Sequence, residues 1–185
     1  MEGLFSVFKS PMENQRILSF QTIFNSRLDS LSHFLDIAEQ HFAEDLPSLL
    51  QRRIAPDMLP FGTQLVFVCN QPRNFALWCL DRSANNLNPE IGSLMEARDH
   101  IASTQALLAN ITVDDRKLSE PHRLELGQGL YADLSGFSYV EDFLMPNFYF
   151  HLTTAYNILR MSGAAIGKRD FMMHLVPSLK HQSHP

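Results

Sequence analysis

The stretch that decides the fold is residues 20–42, FQTIFNSRLDSLSHFLDIAEQHF. Its apolar side chains recur at steps of 4, 3, 4, 3 and 4 residues, at positions Phe24, Leu28, Leu31, Leu35, Ala38 and Phe42. Such spacing puts them on one stripe of a helix, with polar residues opposite. It therefore predicts a long amphipathic helix from Phe20 to Phe42. We expect His33 and His41, which lie off the stripe, to be exposed to solvent.

A second helix is predicted from about Phe61 to Arg82, because apolar residues again recur at helical steps. Pro72 lies within this pattern and lacks a backbone N–H donor, so we expect a kink there. Cys69 and Cys79 are separated by about 15 Å of helix, which is too far for a disulfide bond. They are expected to be free thiols in a reducing cytoplasm.

Two local signals mark the middle of the chain. Asn88-Pro89-Glu90 predicts the cap and first turn of a third helix, which ends near Asn110. Residues 123–134 then alternate apolar and polar side chains around Gly127 and Gly129. That pattern is typical of a small hairpin or an extended loop.

A fourth helix is predicted to begin at Ser138, which forms a capping box with Glu141. It runs to about Met161, and Gly163 is its expected left-handed stop. The helix is apolar around most of its circumference, so we expect it to be the most buried of the four.

Four helices with short connections predict an all-α fold, an up-and-down four-helix bundle with a small extended or hairpin insertion between helices three and four. Residues 17–172 would form this helical bundle domain. Residues 1–16 are a poorly patterned N-terminal extension that we expect to be disordered, and residues 173–185 a C-terminal tail.

Composition excludes several classes of protein. Fifteen Lys and Arg against twenty Asp and Glu give a formal charge of −5, which argues against nucleic acid as a partner. An apolar fraction of 45% is ordinary for a globular protein. Because no run of about 18 apolar residues occurs, no membrane span is predicted. We therefore expect a cytoplasmic protein.

The predicted fourth helix carries polar residues where the other helices carry apolar ones. Its seam has the same 4, 3, 4, 3, 4 spacing and reads Val140, Leu144, Asn147, His151, Thr154 and Ile158. A buried polar group without a partner costs about 1–3 kcal/mol. Asn147, His151 and Thr154, three consecutive polar seam residues, therefore need partners. These partners could be one another, groups of a neighbouring helix, water or a metal.

Asn147 and His151 project to one face, at the spacing by which two ligands on one helix hold a metal. The thiol of Cys69 on the second helix is a third candidate ligand. An alternative stays open for each residue. His151 could be a core histidine bonded to a carbonyl or hydroxyl, Asn147 is a poor ligand for transition metals, and a buried cysteine often serves only as a small apolar side chain.

Three longer motifs carry a family resemblance. They are RIAPDMLP at 53–60 followed by Gln64, PNFYFHLTTAYNILR at 146–160, and Gly163 followed by IGKRDF at 166–171. Over about residues 18–172 the chain closely resembles the domain-of-unknown-function 1993 family. That family is grouped with the DinB/YfiT-like superfamily, whose fold is an up-and-down four-helix bundle. The resemblance thus implies the same fold as the periodicity.

Members of that superfamily are described as metalloenzymes, many with one histidine on helix two and a His-x-x-x-His pair on the last long helix. By resemblance, His151 matches the second histidine of the pair and Asn147 stands at the first. Cys69 or Asn70 lies nearest to the helix-two position. Two of three ligands are changed, which implies a degenerate metal site. A divalent metal, zinc or nickel, would be held by His151, Asn147 and Cys69, but we expect none to be tightly bound.

Two functions follow from these residues. The first is a small-molecule enzyme or binding protein with a central pocket around Asn70, Asn147, Tyr149, His151 and Thr154. The second is a non-catalytic homodimer in which buried polar residues fix the helix register. The superfamily further implies a metal- and thiol-dependent S-transferase-like enzyme. None of these residues is identified as a catalytic group.

Overall fold

The computed structural model describes residues 15–180. Its helices are α1 (Arg16–Phe42), α2 (Leu46–Gln51), α3 (Phe61–Cys79), α4 (Leu94–Ala109), α5 (Gly136–Ser138), α6 (Met145–Met161) and α7 (Lys168–Phe171). Its strands are β1 (Pro121–Gly127) and β2 (Leu130–Ser135), with 3-10 helices at Asp115–Ser119 and Met173–Ser178. The expectations for residues 1–14 and 181–185 lie outside the described part. No helix within 15–180 has both the length and the apolar character that a membrane crossing requires.

The long helices α1, α3, α4 and α6 contact one another around one hydrophobic core. The predicted stripe of α1 is buried along its whole length. Helix α3 is the most buried, with 15 of its 19 residues buried, against 7 of 17 in α6. The prediction that the last long helix is the most buried is therefore wrong. The reason is that α3 is covered by α1, α2, α4 and α6 together.

The third predicted helix begins later than Asn88. Ser93 caps α4 by accepting the Glu96 N–H at 3.3 Å, and the Glu96 carboxylate in turn accepts the Gly92 N–H at 3.2 Å. The first bond satisfies one N-terminal donor of the helix, and the second ties the residue before the cap to its first turn. Asn88 accepts only the Glu90 N–H, in a short local turn. The predicted start at Asn88-Pro89-Glu90 is therefore wrong.

The fourth predicted helix also starts from a different cap. Ser135 accepts the Ser138 N–H at 3.1 Å and opens α5, so Ser138 lies inside the helix. A π-helical turn, Tyr139–Leu144, then joins α5 to α6. The predicted stop is confirmed, since Gly163 has a left-handed φ of +101°.

The predicted hairpin is confirmed as the antiparallel pair β1–β2. Its end lies against α3 at Gly136, where an added Cβ would be 2.5 Å from the Trp78 ring and 2.8 Å from the Lys117 carbonyl oxygen. Only glycine fits this close approach.

The C-terminal elements pack on α1. Phe171 stacks on Phe34 at 6.2 Å between ring centroids, and His33 Nε2 lies 2.9 Å from Asp170 Oδ1. His41 is exposed as predicted. His33 is partly buried instead, because α7 returns to cover it.

Candidate functional site

His151 lies on the face of α6 that meets α3. Its side chain is buried at 7% exposure, and Nδ1 is 2.7 Å from Gln64 Oε1. Because an amide oxygen can only accept, Nδ1 carries the proton and donates it to Gln64. Burial lowers the pKa of His151 to about 4, so the imidazole is neutral at pH 7.

Gln64 connects His151 to the segment that precedes α3. Its Nε2 donates to the Leu59 carbonyl oxygen at 3.0 Å, so one amide bonds to both neighbours. Phe67, one helical turn further along α3, meets the His151 ring edge-on, with centroids 5.0 Å apart and an interplanar angle of 90°. The histidine thus supports the start of α3 through a hydrogen-bond chain and a ring contact.

The other two polar residues of the seam bond within their own helix. Asn147 Nδ2 donates to the Phe143 carbonyl oxygen at 2.7 Å. Thr154 Oγ1 donates to the Phe150 carbonyl oxygen, also at 2.7 Å. Each of the three seam residues has a partner, and none of these bonds joins one seam residue to another.

The remaining predicted residues have separate surroundings. Asn70 is buried, and its Oδ1 accepts the Leu87 N–H at 2.9 Å, which holds the chain between α3 and α4. Tyr149 is partly buried and meets Phe148 edge-on. Cys69 is 1% exposed, and burial raises the pKa of its thiol to about 12. Both cysteines are free and buried, in agreement with the sequence prediction.

The donor set was compared with what a divalent metal needs. Within residues 15–180, no three His, Cys, Asp or Glu side chains are grouped so that they could hold an ion. Zinc is held by thiolate, imidazole or carboxylate groups. Cys69 stays a neutral thiol at pH 7, and Asn147 uses its amide on a carbonyl. These residues do not fit a zinc or nickel site.

A groove of about 970 Å³ lies next to Phe67, whose ring contacts His151. We call it the Phe67 groove. One side is formed by residues of the α2–α3 connection and the start of α3, among them Leu59, Thr63 and Phe67. The other side is formed by residues 88–92, the segment before α4. Its volume is in the range of small-molecule sites.

None of the predicted pocket residues lines this groove. His151 is linked to the groove through two residues of α3. It contacts Phe67, which lines the groove, and it bonds to Gln64, which in turn bonds to the lining residue Leu59. Sequence reasoning missed Gln64. The signal was present, because Gln64 is a polar residue inside an apolar helix, as His151 is.

Comparisons with known proteins agree with this fold. A comparison with curated proteins finds no match. The crystal structure of a DinB family member protein from Shewanella denitrificans is similar, with a TM-score of 0.71 and 27% sequence identity. The similarity covers 91% of this chain and 95% of that chain, and it supports the predicted DinB-like relationship. Residues 19–172 match the family described as domain of unknown function (DUF1993), and the protein therefore belongs to this family.

Proposed function

We propose that this protein binds a small organic molecule in the Phe67 groove. One observation carries the proposal, namely the hydrogen-bond chain from His151 through Gln64 to the Leu59 carbonyl. A histidine and a glutamine in the interface of two apolar helices are costly unless they are satisfied. Here His151 and Gln64 satisfy each other and hold Leu59, a residue of the groove wall, in place.

The lining of the groove suits a ligand with an apolar body and polar ends. Leu59, Phe67 and Ile91 present apolar surface. The charged lining residues are Arg53, Glu90 and Glu96, one positive and two negative. Ligand sites commonly combine apolar walls with a few polar groups that orient the bound molecule. His151 and Gln64 act here as positioning residues.

The test is a melting-temperature screen of small metabolites against the wild type and two variants. A ligand that binds only the folded protein raises its melting temperature. Leu59→Trp would place a large ring in the groove and narrow it without removing the backbone carbonyl that Gln64 binds. Leu175→Trp is the matched control, because Leu59 and Leu175 have similar exposures of 41% and 46% and Leu175 lies outside the groove.

We expect compounds that stabilise the wild type and Leu175→Trp but not Leu59→Trp. The proposal is overturned if no compound stabilises the wild type, or if Leu59→Trp retains the same response.

A non-catalytic homodimer is the second candidate function. It is favoured by the fact that Asn147, His151 and Thr154 are all bonded without any ligand. Of the three, only His151 bonds across to α3, through Gln64, and it would then fix the register of α6 against α3. Analytical ultracentrifugation tests the assembly, and a monomer across the micromolar range would exclude it.

We also infer that α1, α3, α4 and α6 form an up-and-down four-helix bundle, with the β1–β2 hairpin as its insertion. Support comes from the contacts of α3 with each of the other three and of α1 with both α4 and α6.

A further inference from the structure

A second groove, of about 720 Å³, lies where the β1–β2 hairpin meets the C-terminal half of α3. We call it the Trp78 groove. It shares no lining residue with the Phe67 groove, and it is formed by α3, the hairpin and the π-helical turn. The seam histidine His151 takes no part in it.

One wall of the Trp78 groove is a group of stacked rings. His122 lies over Tyr139 with centroids 3.8 Å apart and an interplanar angle of 33°. Trp78 meets Tyr139 edge-on with centroids 5.7 Å apart, and Phe143 stacks on Tyr139 with centroids 6.1 Å apart. Tyr139 and Trp78 are almost fully buried, whereas His122 is partly exposed. The imidazole is thus the outer layer of a rigid aromatic group.

His122 is neutral at pH 7, because burial and the nearby Lys117 ammonium lower its pKa. A neutral imidazole has one N–H donor and one acceptor nitrogen. It can therefore stack with a planar ring without bringing a charge to the contact.

Asn74 supplies an unused hydrogen-bonding atom at the edge of the same groove. Its Nδ2 donates to Asn86 Oδ1 at 2.9 Å, but its own Oδ1 is buried and has no partner among the described residues. Buried polar atoms are nearly always paired. Asn86, the partner of Nδ2, is exposed, and both Asn74 and Asn86 line the groove, so the unpaired Oδ1 belongs to a side chain of the groove wall.

The charges around the Trp78 groove balance. Three acidic side chains and three basic ones line it. The most buried of them, Lys117 at 6% exposure, is already paired with Asp81 and Glu120. An ion would gain little from such a lining, so an uncharged ligand is favoured.

We propose that the Trp78 groove binds an uncharged planar nitrogen heterocycle that carries an exocyclic amino group. The ring stacks on the imidazole of His122, and the amino group donates to Asn74 Oδ1.

The experiment is a titration of the intact chain with adenine, followed by tryptophan fluorescence. Trp78 is the one tryptophan of the chain and lines the groove, so it reports occupancy directly. We expect a saturable change in fluorescence. Purine, which lacks the amino group, should bind about tenfold more weakly, the effect of one lost hydrogen bond.

Two variants locate the site. Asn74→Ala and His122→Ala should each weaken adenine binding by about tenfold. Asn85→Ala is the matched control, because Asn85 is exposed, lies beside Asn86 and does not line the groove. It should bind adenine as the wild type does.

Absence of saturation at millimolar adenine overturns the proposal, as does equal binding of adenine and purine. Equal binding by His122→Ala and the wild type overturns it as well. If a variant loses its helical circular dichroism, the adenine–purine comparison on the wild type decides alone. The outcome is independent of the melting screen for the Phe67 groove, since that screen's blocking variant leaves the Trp78 groove intact.

Discussion

The hydrogen bond between His151 and Gln64 predicts a strongly non-additive pair of mutations. His151→Leu leaves Gln64 Oε1 buried without its donor, which should cost about 1–3 kcal/mol. Gln64→Leu leaves the Nδ1–H of His151 unpaired and should cost a similar amount. The double variant lacks both polar groups of this bond, and replacing both partners of a buried bond by apolar groups can be nearly neutral. The Leu59 carbonyl oxygen, which loses the Gln64 donor, is then the main group left unpaired. We therefore expect the double variant to be more stable than the sum of the single effects predicts, by at least about 2 kcal/mol.

The assay is urea denaturation at pH 7.5 of the wild type, both single variants and the double variant. Strictly additive effects would refute the reasoning, because they would mean that the two side chains do not interact in solution. The comparison requires that the free energy of unfolding fall with urea concentration at the same slope in all four proteins.

The same pair sets a pH dependence. Burial lowers the pKa of His151 to about 4 from its ordinary 6.5, so the unfolded chain binds the proton more readily. The contribution of neutral His151 to the free energy of unfolding is therefore fully present above pH 6.5 and is lost as the pH falls towards 4. A shift of this size corresponds to roughly 3 kcal/mol. His151→Leu should lack this part of the acid sensitivity, and an unchanged pH profile in that variant would contradict the assignment.

Three further predictions concern other contacts. Gly136→Ala should destabilise the protein by about 1–3 kcal/mol through overlap with Trp78, while Gly92→Ala, where a Cβ meets only a flexible side chain, should melt like the wild type. Replacing both Asp81 and Glu120 should lower the free energy of unfolding, measured in urea, by about 3 kcal/mol, because the buried Lys117 ammonium then has no partner. Lys117→Met should lower it less, because the two carboxylates that lose their partner are well exposed. Both cysteines should resist a thiol-specific disulfide reagent in the native protein and react in urea, because burial raises the pKa of each thiol to about 12; rapid labelling of the native protein would disprove this.

Repeated or chemically constrained patterns could be read from the sequence. The stripe from Phe24 to Phe42 is buried as predicted, because a period of 3.6 residues allows only one face of α1 to meet the core. The hairpin and the stop at Gly163 were predictable because each depends on a few adjacent residues. The polar interruption at His151 was visible for the same reason.

Helix starts were less predictable. Asn88 and Ser138 both carry the residue types of a cap, but Ser93 and Ser135 form the caps in the structure. Several capping residues often lie within a few positions of one another. Which of them is used depends on where the helix can begin to bury its apolar face, and the neighbouring helices determine that.

By itself, the sequence determined the helical class, the position of the hairpin, the buried stripe of α1 and the need of His151 for a partner. Only the tertiary structure identifies Gln64 as that partner. Gln64 lies 87 residues earlier in the chain, and the hydrogen bond exists because α3 and α6 pack together. The two grooves likewise arise where distant segments meet, the Phe67 groove between residues 59–67 and 88–92, the Trp78 groove between α3 and the hairpin. Local patterns follow from backbone geometry over a few residues, whereas a site depends on distances between segments that only folding brings together.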